Sequence, residues 1–226
     1  MPAVRWLIKP AVFAACLLPA LRMLAGAFRF AGFSLGADPV AALLHGCGHW
    51  ALNFLMITLC MTPLRDLSGS ALPLRLRRMF GLFVLFYAVL HLFVYLVLDQ
   101  DGKLGVLWQD IVKRPYITIG MLALLLLLPL AATSTQWAQR RLGRRWTQLH
   151  RLVYFIAVLG VCHYWWQVKK DISEPRLYAI GVALLLSYRV WKQRRRLLQF
   201  SVAQFAGIGA ASAAGSRSSA SLYRDR

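Results

Sequence analysis

The chain has 226 residues, 59% of them hydrophobic and 15% charged, with a formal net charge of +19. Several uncharged apolar runs approach about 20 residues, which excludes a water-soluble globular domain and implies an integral membrane protein. The Lys and Arg residues cluster between these runs instead of along one amphipathic face, so basic loops flanking spans, and not a nucleic-acid surface, account for the charge.

Taken in chain order, the first run, near Trp6 to Phe28, follows Arg5 and Lys9, an arrangement that mimics the basic start of a signal peptide. It lacks a small-residue cleavage pattern and includes Arg22, so it is expected to be a retained first span. Apolar windows then recur, giving six in all at 10–28, 43–62, 79–98, 116–133, 149–168 and 176–191. Each is close to the length a spanning helix needs. The expected fold is therefore an all-α integral membrane protein, a bundle of six transmembrane helices.

The connections alternate in charge. Arg65, Arg75, Arg77 and Arg78 lie between spans two and three, Arg140, Arg141, Arg144 and Arg145 between four and five, and Lys192, Arg194, Arg195 and Arg196 after span six. By the positive-inside rule these face the cytoplasm, which makes a multi-pass protein with both termini cytoplasmic. The alternate connections are mixed or acidic, with Asp38, then Asp99, Asp101, Lys103 and Asp110, then Lys169, Lys170, Asp171 and Glu174. None of the connections is long enough for a separate domain. Residues 1–200 are read as one membrane domain, and 201–226, rich in Ser, Ala and Gly, as a flexible cytoplasmic tail. No repeat stands out along the chain.

Five histidines, His45, His49, His91, His150 and His163, all fall in or beside these spans. An intramembrane histidine costs free energy unless it is paired or liganded, so each marks a candidate site. Spans three and five run in the same direction. His91 lies about 20 Å along the third, and His163 stands thirteen residues after His150 in the fifth, so His91 and His163 share a depth toward the outer face. Two facing imidazoles in an apolar bundle are what a six-coordinate b-type haem requires. No C-x-x-C-H motif is present to attach a haem covalently, and Cys16, Cys47, Cys60 and Cys162 show no C-x-x-C spacing.

His150 lies at the cytoplasmic edge, and the matching position on span three holds Arg77 or Arg78. Arginine is a poor iron ligand but a good partner for a haem propionate, so the inner site is either a single-histidine haem or none. Thirteen residues of ideal helix leave His150 and His163 roughly 140° apart around the axis. Gly160 is a place where a bend would relieve that. His45 and His49, spaced i and i+4, share a face, and they are assigned to hydrogen bonding, a quinone contact or partner docking before metal binding; His45 also competes with His91 in depth. Trp108, Trp137, Trp146, Trp165, Trp166 and Trp191 sit near span ends, where amphipathic rings favour the interface.

The stretches "SLGADPVAALLHGCGHWALNFL" (34–55), "TPLR" (62–65), "RRMFGLFVLFYAVLHLFVY" (77–95), "KRPYITIG" (113–120) and "TSTQWAQRRLGRRWTQLHRLVY" (133–154), in this order and spacing, resemble the MsrQ (YedZ) family. These are haem-binding membrane subunits of the periplasmic protein-methionine-sulfoxide reductase system, within the ferric-reductase-like transmembrane superfamily. The resemblance covers about residues 5–195. It implies a b-type cytochrome of the bacterial inner membrane. Electrons would come from the quinone pool or a cytoplasmic flavin reductase and go to the periplasmic molybdopterin subunit MsrP. It implies His91, His150 and His163 as haem ligands, one haem b with a second left open, and FMN, for which no residue set is evident. Substrate-reducing residues are expected on the partner and none here. Arg77, where relatives place a second histidine, is expected to contact a haem edge.

Two competing functions use the same residues. One is a stand-alone quinol-dependent ferric or oxygen reductase; the other is a transporter or haem-handling protein with histidines as relays. Uninterrupted span lengths and the lack of an evident repeat weigh against the transporter. The sequence holds no glycine-rich nucleotide fingerprint.

Overall fold

In a computed structural model, residues 4–168, 171–195 and 199 are described, and among them there is no β-strand. The chain divides into two compact units, Met1–Ala183 and Leu184–Arg226.

The first unit begins with a wide π turn and α1 (Lys9–Ala27), followed by α2 (Pro39–Ser68) and α3 (Leu72–Phe93). The α2 start is set by its cap: Asp38 Oδ1 accepts from the Ala41 N–H at 2.9 Å and Pro39 occupies the first turn, where no N–H is needed. Gly69, at φ 64°, ends the helix in the left-handed conformation that glycine adopts at least cost. A π-helical turn, Val94–Asp99, continues α3.

Then come α4 (Leu104–Lys113), α5 (Pro115–Ala132), α6 (Gln136–Leu142), α7 (Arg144–Leu149) and α8 (Leu152–Gln167). Residues 173–183 of the first unit and 184–195 of the second are helical. In the second unit, the Arg195 guanidinium sits over the Trp191 ring at 4.4 Å, and Trp191 lies 5.9 Å from the Tyr188 ring.

Among the described residues, four helical stretches are long and apolar enough to cross a membrane: Trp6–Ala27, Pro39–Ser68, Leu72–Asp99 and Pro115–Ala132. The fifth expected span is a 16-residue helix, α8, and the sixth falls in 173–195. The 201–226 tail lies outside the described residues. Short helices α4, α6 and α7 occupy connections that were expected only as loops.

The most extensive pairing is α2 with α3, followed by α5 with α8. Within the first unit the core is aromatic and aliphatic. Tyr87, Leu59, Ile156 and Ala157 are at most 2% exposed, and Phe54 stacks on Tyr87 and Phe83 at 5.3 and 5.5 Å. Large apolar side chains such as Phe86, Leu125 and Phe155 face outward. That inversion suits a lipid surround, where burial of apolar area no longer drives helices together and close packing does.

Candidate functional site

Helices α2, α3, α5 and α8 enclose a cavity of about 300 Å³. Its walls are apolar where Leu55, Val84, Leu127 and Ile156 meet, and polar toward the end at which α2 and α5 begin and α3 and α8 finish. His91 and His163 face each other across it, ring centroids 6.2 Å apart and planes at 88°. Equal depth on helices running the same way thus became a contact.

Each imidazole is fixed from behind. His91 Nδ1 lies 2.9 Å from the Leu44 carbonyl of α2, and His163 Nδ1 lies 2.6 Å from the Tyr116 carbonyl of α5. A carbonyl only accepts, so Nδ1 carries the proton in both rings and Nε2 keeps its lone pair. A carbonyl behind Nδ1 fixes the ring's orientation and tautomer, as it does for metal-bound histidines. Two imidazole nitrogens about 2 Å from one iron, on opposite sides, put ring centres roughly 6 Å apart, so the pair fits a bis-histidine haem iron.

Glycines make the approach possible. A Cβ on Gly120 would stand 2.7 Å from His163 Nδ1 and 2.8 Å from its Cε1; on Gly48 it would stand 3.2 and 3.3 Å from the same atoms of His91. Neither glycine was singled out from the sequence, although both lie in the quoted "HGCGH" and "YITIG" segments.

These parts recur at a fixed offset. Leu44 and Tyr116, Gly48 and Gly120, Leu55 and Leu127, Val84 and Ile156, and His91 and His163 are each 72 residues apart, and every one of them lines the cavity. The hairpin α2–α3 is therefore repeated by α5–α8 in the same orientation. The repeat does not stand out in the sequence because the identical residues at this offset, such as Gly48 and Gly120, Leu52 and Leu124, and His91 and His163, are scattered and mostly apolar. The halves differ most at the polar end, where His45 and His49 of α2 answer to Ile117 and Met121 of α5.

His45 is exposed at this end. His49 is committed: its Nε2 donates to the Tyr164 hydroxyl at 2.9 Å, and that hydroxyl donates to Glu174 Oε2 at 2.6 Å. Among the described residues no group of three or more His, Cys, Asp and Glu is placed to hold a metal ion. The histidine pair offers two ligands, the number that an iron already held by a porphyrin lacks.

His150 lies apart from this cavity. It caps the end of α7, its Nδ1 is 3.1 Å from the Trp146 carbonyl, and the Trp146 ring stacks on it at 4.0 Å. Its Nε2 is buried, and the Leu130 main chain and the charge of Arg77 both bear on the ring. His150 and Arg151 form a tight turn between α7 and α8, so the 140° calculation, which assumed one continuous helix, does not apply. Gly160 is not the bend; it admits Leu52 of α2, whose Cδ2 would stand 3.2 Å from a Cβ.

Residues 47–161 match the family described as ferric reductase like transmembrane component. The chain is 56% identical over 160 residues to the protein-methionine-sulfoxide reductase heme-binding subunit MsrQ of Xanthomonas euvesicatoria, covering 71% of this chain and 73% of that protein. To the subunit of the same name in Rhodospirillum rubrum it is 54% identical over 187 residues, covering 82% and 88%. No solved structure matches it. The histidine-lined four-helix cavity thus stands on a chain that belongs to the ferric-reductase-like transmembrane family and, within it, to the MsrQ heme-binding subunits.

Proposed function

We propose that this chain is the haem-carrying electron-transfer subunit of a protein-methionine-sulfoxide reductase system. It crosses a bacterial inner membrane six times, with both termini cytoplasmic. It takes electrons from the quinone pool or a cytoplasmic flavin reductase and delivers them to the periplasmic molybdopterin subunit MsrP, where sulfoxide is reduced. The single observation that carries this is the His91–His163 pair, with each Nδ1 committed to a carbonyl and the ring centroids 6.2 Å apart.

In this reading His91 and His163 would hold an outer haem b, which would supply one-electron chemistry when bound. The Leu44 and Tyr116 carbonyls hold the rings in the ligating tautomer. The apolar walls exclude water and favour the flat hydrophobic face of the cofactor. His150, buried at Nε2 and under the influence of the Arg77 charge, would hold a second, inner haem as its one histidine ligand, with Arg77 available to its carboxylates. FMN is assigned to no residue, and flavin absorbance of the purified protein tests for it.

The test is a reduced-minus-oxidised spectrum with haem quantification on the full chain. His91→Ala and His163→Ala should each abolish the outer low-spin signal, whereas His150→Ala should keep it and lower the haem-to-protein ratio from two to one. Reduced wild type should be reoxidised by MsrP. Reoxidation by ferric chelate and not by MsrP would instead favour a stand-alone reductase, and a colourless, haem-supplied protein would end the reading.

A further inference from the structure

Arg114 is the one Lys or Arg among the cavity-lining residues, and the repeat does not account for it, because Ala42 stands 72 residues earlier. It is held in place. Its Nε lies 3.1 Å from Asp110 Oδ1, and Asp110, only 7% exposed, also accepts from the Tyr95 hydroxyl. Tyr95 belongs to the π turn that ends α3, a widened turn of the kind that often marks functional sites. Arg114 Nη1 reaches the Tyr116 hydroxyl at 3.4 Å. A guanidinium has five N–H donors, so with Nε spent on Asp110 most of the terminal donors remain for a ligand.

The cavity is apolar on one side of the histidine pair and polar on the other, where Arg114 stands. A porphyrin of the b type has the same division, with two carboxylates along one edge and an apolar remainder. Resting on the haem assignment above, we propose that Arg114, positioned by Asp110 and Tyr95, binds the propionate carboxylates of the outer haem.

The other candidates at this end are poorer. His49 is tied to Tyr164 and lies 3.4 Å from Glu174, whose carboxylate repels a propionate. Asp99 also lines the cavity, but its Oδ2 accepts from Gln100 Nε2 at 2.6 Å at the exposed rim. Arg114 is half exposed at the mouth of the cavity, 52% by side chain, but its anchoring by Asp110 leaves the terminal N–H groups oriented for paired, charge-assisted hydrogen bonds to a carboxylate.

The experiment uses the full chain in detergent, produced haem-free, in a His150→Ala background so that only the outer site is titrated. Binding of haemin is compared with binding of haemin dimethyl ester, which keeps the iron and the ring but loses both charges. The unmodified Arg114 protein should prefer haemin by roughly tenfold or more. Arg114→Gln should bring haemin down to the ester's affinity and leave the ester unchanged, and Arg114→Lys should recover part of the preference. In every case the low-spin spectrum should persist, since His91 and His163 are untouched.

Equal affinity for haemin and its ester with Arg114 present overturns the proposal without any Arg114 variant needing to fold. So does an Arg114→Gln protein that still prefers haemin, or that weakens both ligands equally, the mark of a merely structural role. Absence of any His91-dependent low-spin spectrum would instead remove the haem assignment, and this inference with it.

Discussion

Gly120 and Gly48 do the same job at different tolerances, which gives a graded prediction. A methyl at Gly120 would stand at 2.7 Å from His163 Nδ1, a distance that forces the ring off its carbonyl; at Gly48 the corresponding 3.2 Å asks His91 to yield by a few tenths of an ångström. Overpacking of this kind costs about 1–3 kcal/mol. Gly120→Ala should therefore lose much of the outer haem and disturb the low-spin electron paramagnetic resonance signal, whereas Gly48→Ala should retain haem with a small shift. Equal, wild-type haem content in both would show that the rings are not held as described. The histidines themselves were legible in the sequence, since matching depth on parallel spans needs only a residue count. Their tautomers were not, because the acceptors are main-chain carbonyls 47 residues away, which no side-chain pattern encodes.

Elements show the same division between what periodicity reveals and what packing decides. Windows of apolar residues located the long helices, except that α2 continues to Ser68 past Pro63, beyond the expected end at 62, and α3 begins at Leu72, seven residues before the expected start at 79, because its first turns carry Arg75, Arg77 and Arg78. They missed the break between α7 and α8, because the turn at His150 and Arg151 is made of residues that helices also accept. Apolar windows are equally blind to α4. Its Leu104, Trp108 and Val112 form an exposed stripe at i, i+4 and i+8, while Asp110 points inward. In α1, Pro19 lacks an N–H, and beside it the Tyr87 hydroxyl of α3 accepts from the Ala20 N–H at 3.1 Å and donates to the Cys16 carbonyl at 2.8 Å. These are the two groups that an unbroken helix would join directly. Tyr87 is fully buried, so the hydroxyl pins α1 to α3 where water cannot substitute. Tyr87→Phe should keep the ring packing and cost about 1 kcal/mol, the scale of hydrogen bonds within membranes. A lowered melting temperature in detergent with unchanged haem spectrum is the expected result, and an unchanged melting temperature would mean that the ladder closes by itself.

At the scale of the whole molecule, direction across the membrane decides what the site can serve. Because α2–α3 and α5–α8 repeat in the same orientation, both contribute the same ends to the cavity, and its polar end lies on the side of Asp99, Asp101, Lys103 and Arg114. The opposite side carries Arg75, Arg77 and Arg78 where α2 turns into α3, and Arg140, Arg141, Arg144 and Arg145 between α5 and α8. Translocating such arginine clusters is unfavourable, so they are expected to remain cytoplasmic and to turn the cavity's polar end to the periplasm. Cysteine labelling reads this out on a low background, since all four native cysteines lie within the apolar helices. Lys103 and Arg141 are exposed on opposite sides of α5. Lys103→Cys should react with a membrane-impermeant maleimide in intact spheroplasts, whereas Arg141→Cys should react only once the membrane is opened. The reverse pattern would place the paired histidines near the cytoplasm, where a periplasmic acceptor has no access. A haem between them would then serve electron entry instead of delivery.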